Sequence, residues 1–479
     1  MEKEKSSITG LMWLVATYYF LQGMGGNPGL HSQALELFLK KSLLLNPMGQ
    51  ASFFFIITIP WMIKPLYGMI SDFLPIFGYR RASYFVIASI LSVIAYVLVV
   101  LFGYSYLNVV ILLTISSVGF AFSDVLCDAV MVEKGQPLNA TDKLQSAQWA
   151  AISVASVILM FSGGYIAQYL SLQTAVLLSL VFPICVLLVT IFFLKEKKAI
   201  SVEDSAKKAW QGLKAAFKMK AIWGCAIFIF VFYLCPSFGT ALYNYQIDKL
   251  KFTQVNIGHI RTVGSIGFLL GVLFFMAICG ESSKKKNFIV AWLIKQYNRC
   301  GAVIENIFRR WFETLRLSRW RGLASVVFVI VATIEMLFII ISSCLYGLYM
   351  MLVVELTNKL REIVKNKLLP LIIITAIFTT LAYLFYYNLT SAFIIEASTA
   401  FVGAMAFVGI LVIAARVCPK YAEGTVFALL MSVSNLGKGV ANIIGGHLYE
   451  VVGYHWLVAI SAISVACTWF LLPLVRSNK

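Results

Sequence analysis

Charged residues are scarce in this chain, and the common motifs of soluble enzymes are missing. Asp, Glu, Lys and Arg make up only 13% of the 479 residues, whereas soluble domains carry about 25%. The nine cysteines show no paired spacing, which argues against a disulfide framework and a metal site. No HExxH, GxSxG or Walker motif occurs. We therefore expect a protein that is not an enzyme, needs no cofactor and is not driven directly by ATP.

Long hydrophobic runs take the place of the missing charge. Hydrophobic residues account for 60% of the chain, and their runs repeatedly reach the roughly 18 residues that indicate a membrane-spanning helix. A β-barrel would show short alternating segments instead. The sequence therefore predicts an all-α membrane protein with twelve core transmembrane helices. The predicted spans are 8–38 (broken near Gly23–Pro28), 50–72, 82–104, 107–133, 145–168, 172–194, 221–245, 256–280, 368–388, 392–416, 424–448 and 453–474.

A weak internal repeat relates the two halves of the chain. The stretch LMFSGGYIAQYL at 159–170 resembles ANIIGGHLYEVV at 441–452, at an offset of 282 residues. Many secondary transporters are built from such repeats. We predict an N-terminal six-helix bundle (1–194), a basic cytoplasmic linker (195–220), a C-terminal six-helix bundle (221–280 and 367–479) and an atypical insert between helices 8 and 9 (281–366).

The insert does not fit the twelve-helix pattern. Its first part, Glu281 to Arg321, carries ten basic and three acidic residues, and the part from Leu323 to Leu356 is almost wholly apolar. The apolar part is too long for one upright span and short for two. No crossing, two crossings and a gene-prediction or splicing artefact are all compatible with this pattern.

Basic residues mark one side of the predicted membrane. Arg80, Arg81 and the lysines of 195–220 fall on that side, whereas the short loops near 105 and 170 carry no basic residue. By the positive-inside rule, both termini are cytoplasmic. The net charge of +18 therefore indicates membrane flanks rather than nucleic-acid binding. We expect a monomeric, multi-pass protein in the lipid bilayer of the plasma membrane or an organelle membrane.

The stretch KPLYGMISDFLPIFGYRR, from Lys64 to Arg81, concentrates charge, glycine and proline between two spans. Gly68 is expected to let two helices approach closely, and Asp72 and the arginines can hold the cytoplasmic side shut in one state. Solvated end charges and an ordinary positive-inside anchor are the alternatives. The predicted gate residues are Gly68, Asp72, Gly78, Arg80, Arg81, Glu133, Lys134 and Arg416.

Charges inside membrane spans are costly and mark functional sites. Asp124 and Asp128 lie four residues apart and therefore share one face of a helix. One of them can carry a coupling proton, or they can pair structurally with a basic residue of a neighbouring helix. Lys64 precedes Pro65, which allows a bend. Lys64 either neutralises one of the acids, attracts a substrate carboxylate or snorkels to the interface.

Three further residues carry open alternatives. Glu396 either faces the pathway or is an exposed end residue of its helix. Lys438, between Gly437 and Gly439, either meets the substrate or forms a structural ion pair. His31 is expected to be a wet surface histidine rather than a proton relay.

Several stretches resemble the folate–biopterin transporter family of the major facilitator superfamily. Gly-x-x-x-Asp followed by Gly-x-Arg-Arg resembles the loop signature of the superfamily, and its stretched form KPLYGMISDFLPIFGYRR is similar to this family. YYFLQGMGG, VGFAFSDVLCDAVMVEKGQ and LQSAQWAAIS resemble its helices 1, 4 and 5, and AARVCPKYAEGTVFALLMSVSNLG resembles its helix 10–11 junction. The chain departs from the family pattern at 281–366 and at Lys438, where a small residue is expected.

The resemblance implies a major facilitator fold and a secondary active transporter that moves folate or a pterin by alternating access, coupled to protons. A pterin ring offers an amino group and a ring N–H side by side, and the carboxylate of Asp124 or Asp128 can accept both. Lys438 would suit the glutamyl tail of a folate. The alternatives are a facilitator-type carrier of another organic anion or an amino acid, and a membrane receptor or scaffold that does not transport.

Overall fold

A computed structural model describes residues 2–26, 28–135, 137–138, 140–194, 196, 198, 218–279, 368–418 and 423–476. The regular elements in these ranges are helices. They are α1 (Glu2–Gly25), α2 (Ser32–Lys41), α3 (Pro47–Met62), α4 (Lys64–Phe73), α5 (Ala82–Phe102), α6 (Tyr106–Gly135), α7 (Thr141–Tyr169), α8 (Leu172–Phe193), α9 (Lys220–Leu234), α10 (Gly239–Asp248), α11 (Gln254–Cys279), α12 (368–382, with the 3-10 turn Tyr383–Phe385), α13 (Leu389–Val417), α14 (Glu423–Val452), α15 (Tyr454–Cys467, with the 3-10 turn Thr468–Leu471) and α16 (Leu472–Arg476).

Most of the predicted spans are confirmed. Eleven helical segments in the described ranges are long and apolar enough to cross a membrane. Some of these segments join two of the helices above, such as α3 with α4 in Pro47–Phe73. The first predicted span, 8–38, forms α1 and α2, and the chain leaves helical geometry between them where a break is predicted. The linker 195–220 lies outside the described residues except at 196, 198 and 218–220, and the insert 281–366 lies wholly outside them.

The second predicted span is capped at its start and broken in its middle. The side chain of Asn46 accepts a hydrogen bond of 2.9 Å from the Gly49 N–H and caps α3. Ile63 has φ −105° and ψ 18°, which ends the regular helix. Pro65, which lacks an N–H, then occupies the first turn of α4. The break predicted beside Lys64 is therefore confirmed, and it makes Lys64 the first residue of a separate helix.

The internal contacts divide the chain into two compact units. One comprises residues 1–272 and 369–479, and the other comprises residues 273–368. Within the first unit, we call the described chain up to Leu194 the N-terminal half. The C-terminal half begins with α9. The domain boundaries given by the sequence stay a prediction.

His31 is buried, contrary to the expectation of a surface position. Its side chain is 0% exposed, and its Nδ1 lies 3.0 Å from the Ser179 hydroxyl of α8. The Tyr96 ring of α5 meets it edge-on, with ring centres 5.5 Å apart. The expectation is wrong because the break between α1 and α2 is covered by neighbouring helices and not by solvent.

Two close backbone approaches join the halves at the same end of the molecule. On α7, a Cβ atom at Gly164 would lie 2.9 Å from the Cα of Gly258 on α11. On α14, a Cβ atom at Gly446 would lie 2.9 Å from the carbonyl oxygen of Pro47. Both contacts therefore depend on the missing side chain. Because Gly164 and Gly446 differ by 282 residues, the offset of the sequence repeat relates two equivalent contacts.

We expect Gly164→Ala to push α7 away from α11 and to favour a state in which the halves separate at this end. The added helix propensity, about 1 kcal/mol, is the same in both states and does not bias them. A bias of about 1 kcal/mol between the states changes their ratio about fivefold. Distances between spin labels at Leu44 and Val451, exposed residues of the two halves at this end, measure the shift.

Gly163→Ala is the matched control. A Cβ atom there would lie 3.9 Å from the Gln33 side chain, which is an ordinary contact. The distance distribution should therefore stay as in the parent protein. Equal shifts in both variants would show that the effect does not come from the Gly164–Gly258 approach.

Candidate functional site

Asp124 forms an ion pair with Lys64. The Lys64 ammonium at the start of α4 lies 2.5 Å from Oδ2 of Asp124 on α6. The other oxygen, Oδ1, accepts a hydrogen bond of 2.7 Å from Nε2 of Gln22 on α1. Asp124 is only 6% exposed. Of the alternatives for Lys64, neutralisation of an acid is the one that the geometry supports.

Asp128 lies one turn further along α6 in a different environment. Its Oδ1 accepts a hydrogen bond of 2.5 Å from the Tyr19 hydroxyl, and Nε2 of Gln148 lies 3.4 Å from the same oxygen. The side chain is exposed, and its two partners belong to α1 and α7, so it faces a space between these helices and α6 that we call the internal space. Lys64, Asp124 and Asp128 form the acidic cluster, in which two carboxylates outnumber one ammonium.

The acidic cluster lies deep in the span because of where each helix places its members. Asp124 is about 27 Å along the helix axis from Tyr106 and about 17 Å from Gly135, at 1.5 Å per residue. Tyr19 and Gln22 are three residues apart and therefore share the face of α1 that meets α6. Sequence reasoning did not identify these two donors, because neutral polar residues near a helix break have no distinctive pattern.

Lys438 on α14 lines a cavity of about 370 Å³ in the C-terminal half. Its ammonium nitrogen lies 4.4 Å from the ring centre of Tyr233 and 5.5 Å from that of Phe407. In the described part of the chain, no carboxylate interacts with this ammonium. The structural ion pair that was one alternative for Lys438 is therefore not found there.

Glu396 lies inside the C-terminal half and not at an exposed helix end. Its Oε2 accepts a hydrogen bond of 2.9 Å from the Tyr383 hydroxyl. Its side chain packs so closely against Gly264 of α11 that a Cβ atom there would lie 2.8 Å from Cγ of Glu396. Arg261, one turn earlier on α11, interacts with it electrostatically. The exposed-end alternative is therefore wrong.

Arg81 is the centre of the predicted gate. Its guanidinium contacts Asp72 and Glu133 at 2.5 Å each, and it donates a hydrogen bond of 2.6 Å to the Ser71 hydroxyl. Glu133 therefore meets Arg81, another residue of the predicted gate. These contacts join α4, the start of α5 and α6, all in the N-terminal half. We name Asp72, Arg81 and Glu133 the arginine cluster.

The two glycines of the predicted gate differ in their roles. A Cβ atom at Gly68 would make only an ordinary contact, 3.6 Å from the Val125 side chain. The expectation that Gly68 permits close helix packing is therefore wrong for this conformation. Gly78 has a φ of +82° and follows Phe77, whose φ is +53°, in the turn between α4 and α5. A left-handed backbone favours glycine at this position.

Glu196, just after α8, organises the same region and was not identified from the sequence. Its carboxylate accepts hydrogen bonds from the backbone N–H groups of Arg80, at 2.9 Å, and Ala82, at 2.7 Å. An acid suits the start of α5, where N–H groups lack helical partners. Lys134 lies within electrostatic reach of Glu196. The side chain of Arg416 lies outside the described residues.

A polar network joins the two halves at the end that contains the glycine approaches. Arg261 forms a two-point ion pair with Glu36, with N–O distances of 2.7 and 3.2 Å. Sequence reasoning missed both residues, although charge inside a hydrophobic run was the available signal. Further contacts in this opposite-end network are Gln33 with the Gln254 carbonyl oxygen (2.7 Å), Lys40 with Asp248 (2.7 Å), and Glu450 with the Met48 N–H (2.8 Å).

The internal space is accessible while the opposite-end network is intact. Asp128 and Lys438 are both solvent-accessible side chains. The end of the molecule that carries Arg81 and Lys134 is called the basic end below.

Solved membrane transporters share this fold. A crystal structure of the nucleoside transporter NupG matches with a TM-score of 0.57 and 11% identity, covering 98% of each chain. A crystal structure of a D-xylose-proton symporter matches with a TM-score of 0.60 and 12% identity, covering 99% of this chain and 98% of the symporter. At these identities the likeness shows the fold alone, which is the predicted major facilitator fold.

Curated relatives match over most of the chain. The folate-biopterin transporter of Synechocystis sp. is 26% identical over 450 residues, which cover 92% of this chain and 74% of the relative. The probable folate-biopterin transporter 4 of Arabidopsis thaliana is 23% identical over 540 residues, with coverage of 96% and 95%. The model of the BT1 family matches residues 22–318 and 386–475. Because that match extends over more than half of the sequence, this chain belongs to the BT1 family.

Proposed function

We propose that this protein is a secondary active transporter that moves folate or a pterin across a membrane by alternating access, coupled to protons. Two relatives bear the name folate-biopterin transporter, which supports this substrate class. The observation that carries the mechanism is the accessible Asp128 carboxylate. It lies deep in a span and shares a single ammonium with Asp124.

The charge balance of the acidic cluster favours a ligand that brings positive charge or N–H donors. The Lys64 ammonium contacts Asp124, and both Asp124 oxygens have partners. The second oxygen of Asp128 makes no hydrogen bond within the described residues. A carboxylate in a low-dielectric site gains strongly from a proton or from charge-assisted hydrogen bonds. Asp128 can therefore accept a coupling proton, or it can accept hydrogen bonds from the amino and ring N–H groups of a pterin.

Alternating access requires a second conformation, and we propose that the present one is open at the basic end and that the second one closes it. In the present conformation the arginine cluster lies wholly within the N-terminal half. Its three side chains fix the ends of α4 and α6 relative to the start of α5. We propose that this fixed surface is what the C-terminal half meets when the basic end closes.

The basic end and both termini are assigned to the cytoplasm in this proposal. The positive-inside rule supports the assignment, since the basic loops flank that end. Lys40 is an exception to the rule at the opposite end. Its ammonium pairs with Asp248 at 2.7 Å, so its charge is compensated within the protein.

Asp128→Asn should lower pH-gradient-driven uptake of labelled folic acid into proteoliposomes by at least about tenfold. The change removes the only uncompensated carboxylate of the acidic cluster, and hydrogen bonds to charged groups contribute about 1.5–3 kcal/mol. Asp128→Glu keeps the carboxylate and is the matched control, with partial uptake expected. Normal uptake by a folded, membrane-inserted Asp128→Asn protein would remove Asp128 from the transport site.

Asp72→Asn should slow transport and favour the state open at the basic end, because the surface needed for closure is less well fixed. A bias of 1–3 kcal/mol corresponds to about 5- to 150-fold in population. Substrate affinity should change much less, since Asp72 lies at the end of α4, away from the acidic cluster. Binding and uptake are measured separately, with Glu133→Gln as a second disruption of the arginine cluster. Lost binding with unchanged accessibility would place Asp72 in the binding site.

Cysteine labelling tests the orientation. In a cysteine-free background, an impermeant reagent outside sealed cells should label Leu44→Cys, which is 81% exposed at the opposite end. Ser477→Cys should react only after the membrane is permeabilised, because the C-terminus is assigned to the cytoplasm. The reverse pattern would invert the proposed topology.

A further inference from the structure

Lys438 is the only charged residue among the described residues that line its cavity. The lining side chains in the described part of the chain are aromatic, aliphatic or threonine, apart from Lys438. Thr375 and Thr379 direct their hydroxyl hydrogens to backbone carbonyls one turn back, at 2.8 and 2.9 Å. Among the described lining residues, the Lys438 ammonium is therefore the only charged donor, and the Tyr233 hydroxyl is a neutral one. The lining residues used here are Phe232, Tyr233, Thr375, Thr379, Phe407 and Lys438.

The aromatic rings give the ammonium only partial compensation. Cation–π contacts such as those with Tyr233 and Phe407 are weaker than an ion pair with a carboxylate in the same setting. A lysine near the centre of a membrane helix is costly and usually has a partner. Within the described residues, no carboxylate pairs with the Lys438 ammonium. An anion that enters the cavity would supply the opposite charge that the described wall lacks.

The cavity is close to the acidic cluster across the boundary between the halves. Asn435, one turn before Lys438 on α14, donates a hydrogen bond of 3.3 Å to the carbonyl oxygen of Trp61 on α3. The Lys64 ammonium lies 4.7 Å from the ring centre of the same Trp61. A single tryptophan therefore connects the acidic cluster with the helix turn that precedes Lys438.

We propose that the Lys438 cavity is a carboxylate subsite for an aromatic carboxylic acid, whose heterocyclic part lies at the acidic cluster. The assignment of the heterocycle rests on the proposed function, whereas the carboxylate preference depends on Lys438. The volume of about 370 Å³ is at the lower end of the 300–1,000 Å³ of small-molecule pockets. It admits an aromatic ring that carries one or two carboxylates and makes Lys438 a residue that determines specificity.

Competition binding to the purified full-length protein tests the subsite. The probes are folic acid and its diamide, in which both carboxylates are neutral amides. The parent protein should bind folic acid at least about tenfold more tightly, as expected for a charge-assisted hydrogen bond. Lys438→Met should bring folic acid to the affinity of the diamide and leave the diamide unchanged. Lys438→Arg should retain the preference.

Two further variants separate the subsite from general effects. Lys220→Met removes an exposed lysine at the start of α9 and should leave the preference intact. Gly403 lines the cavity, and a Cβ atom there meets no heavy atom within 4 Å. Gly403→Leu therefore fills the cavity without a clash at Cβ and should weaken folic acid more than its diamide. This variant keeps the test decisive if Lys438→Met does not fold.

The outcomes distinguish the subsite from the proposed function. Equal affinity of the parent protein for both probes, or an equal loss of both in Lys438→Met, would overturn the subsite. A third probe, p-aminobenzoyl-glutamate, carries the carboxylates without the pterin ring. If folic acid and its diamide do not bind but this probe binds and its binding depends on Lys438, the subsite holds and the folate or pterin assignment fails. If no probe binds in a Lys438-dependent way, the carboxylate subsite is wrong.

Discussion

The ion pair between Lys64 and Asp124 is the interaction on which the arrangement around the internal space depends. Either charge alone is costly in a membrane span, and loss of one partner of a buried pair costs about 3–5 kcal/mol. The pair forms because the helix breaks at Ile63 and directs Lys64 toward α6. It consumes the only ammonium of the acidic cluster and leaves Asp128 uncompensated. Stability of the fold and reactivity of the site thus come from the same unequal count of charges.

The two ends of the molecule are held by different kinds of contact. At the opposite end, Gly164 and Gly446 allow backbones of the two halves to touch, and the Glu36–Arg261 pair crosses the boundary. At the basic end, the arginine cluster stays within one half. Separating the halves at the opposite end would expose an ion pair to water, where its partners are readily solvated. The network can therefore specify the closed state without making it irreversible.

Sequence patterns predicted what local rules determine and missed what distant partners determine. Pro65 and the glycines near 23–28 predicted two helix breaks, and the spacing of Asp124 and Asp128 predicted a shared face. Glu196 and Arg261 could not be assigned in this way, because each lies more than one hundred residues from its partner. Gly68 shows the opposite error, in which a familiar motif suggested a close contact that the neighbouring Val125 does not make.

The opposite charges of Asp128 and Lys438 belong to opposite halves, and this has a consequence for transport. A ligand shifts a conformational equilibrium only through a difference in its affinity for the two states. A compound that contacts one half alone gains little when the halves move together. A compound with N–H donors at one end and a carboxylate at the other can engage both halves at once, but only when they are suitably close. In the proposed function, binding energy is then tied to the movement itself, so the charge pattern proposed to recognise the substrate would also couple recognition to alternating access.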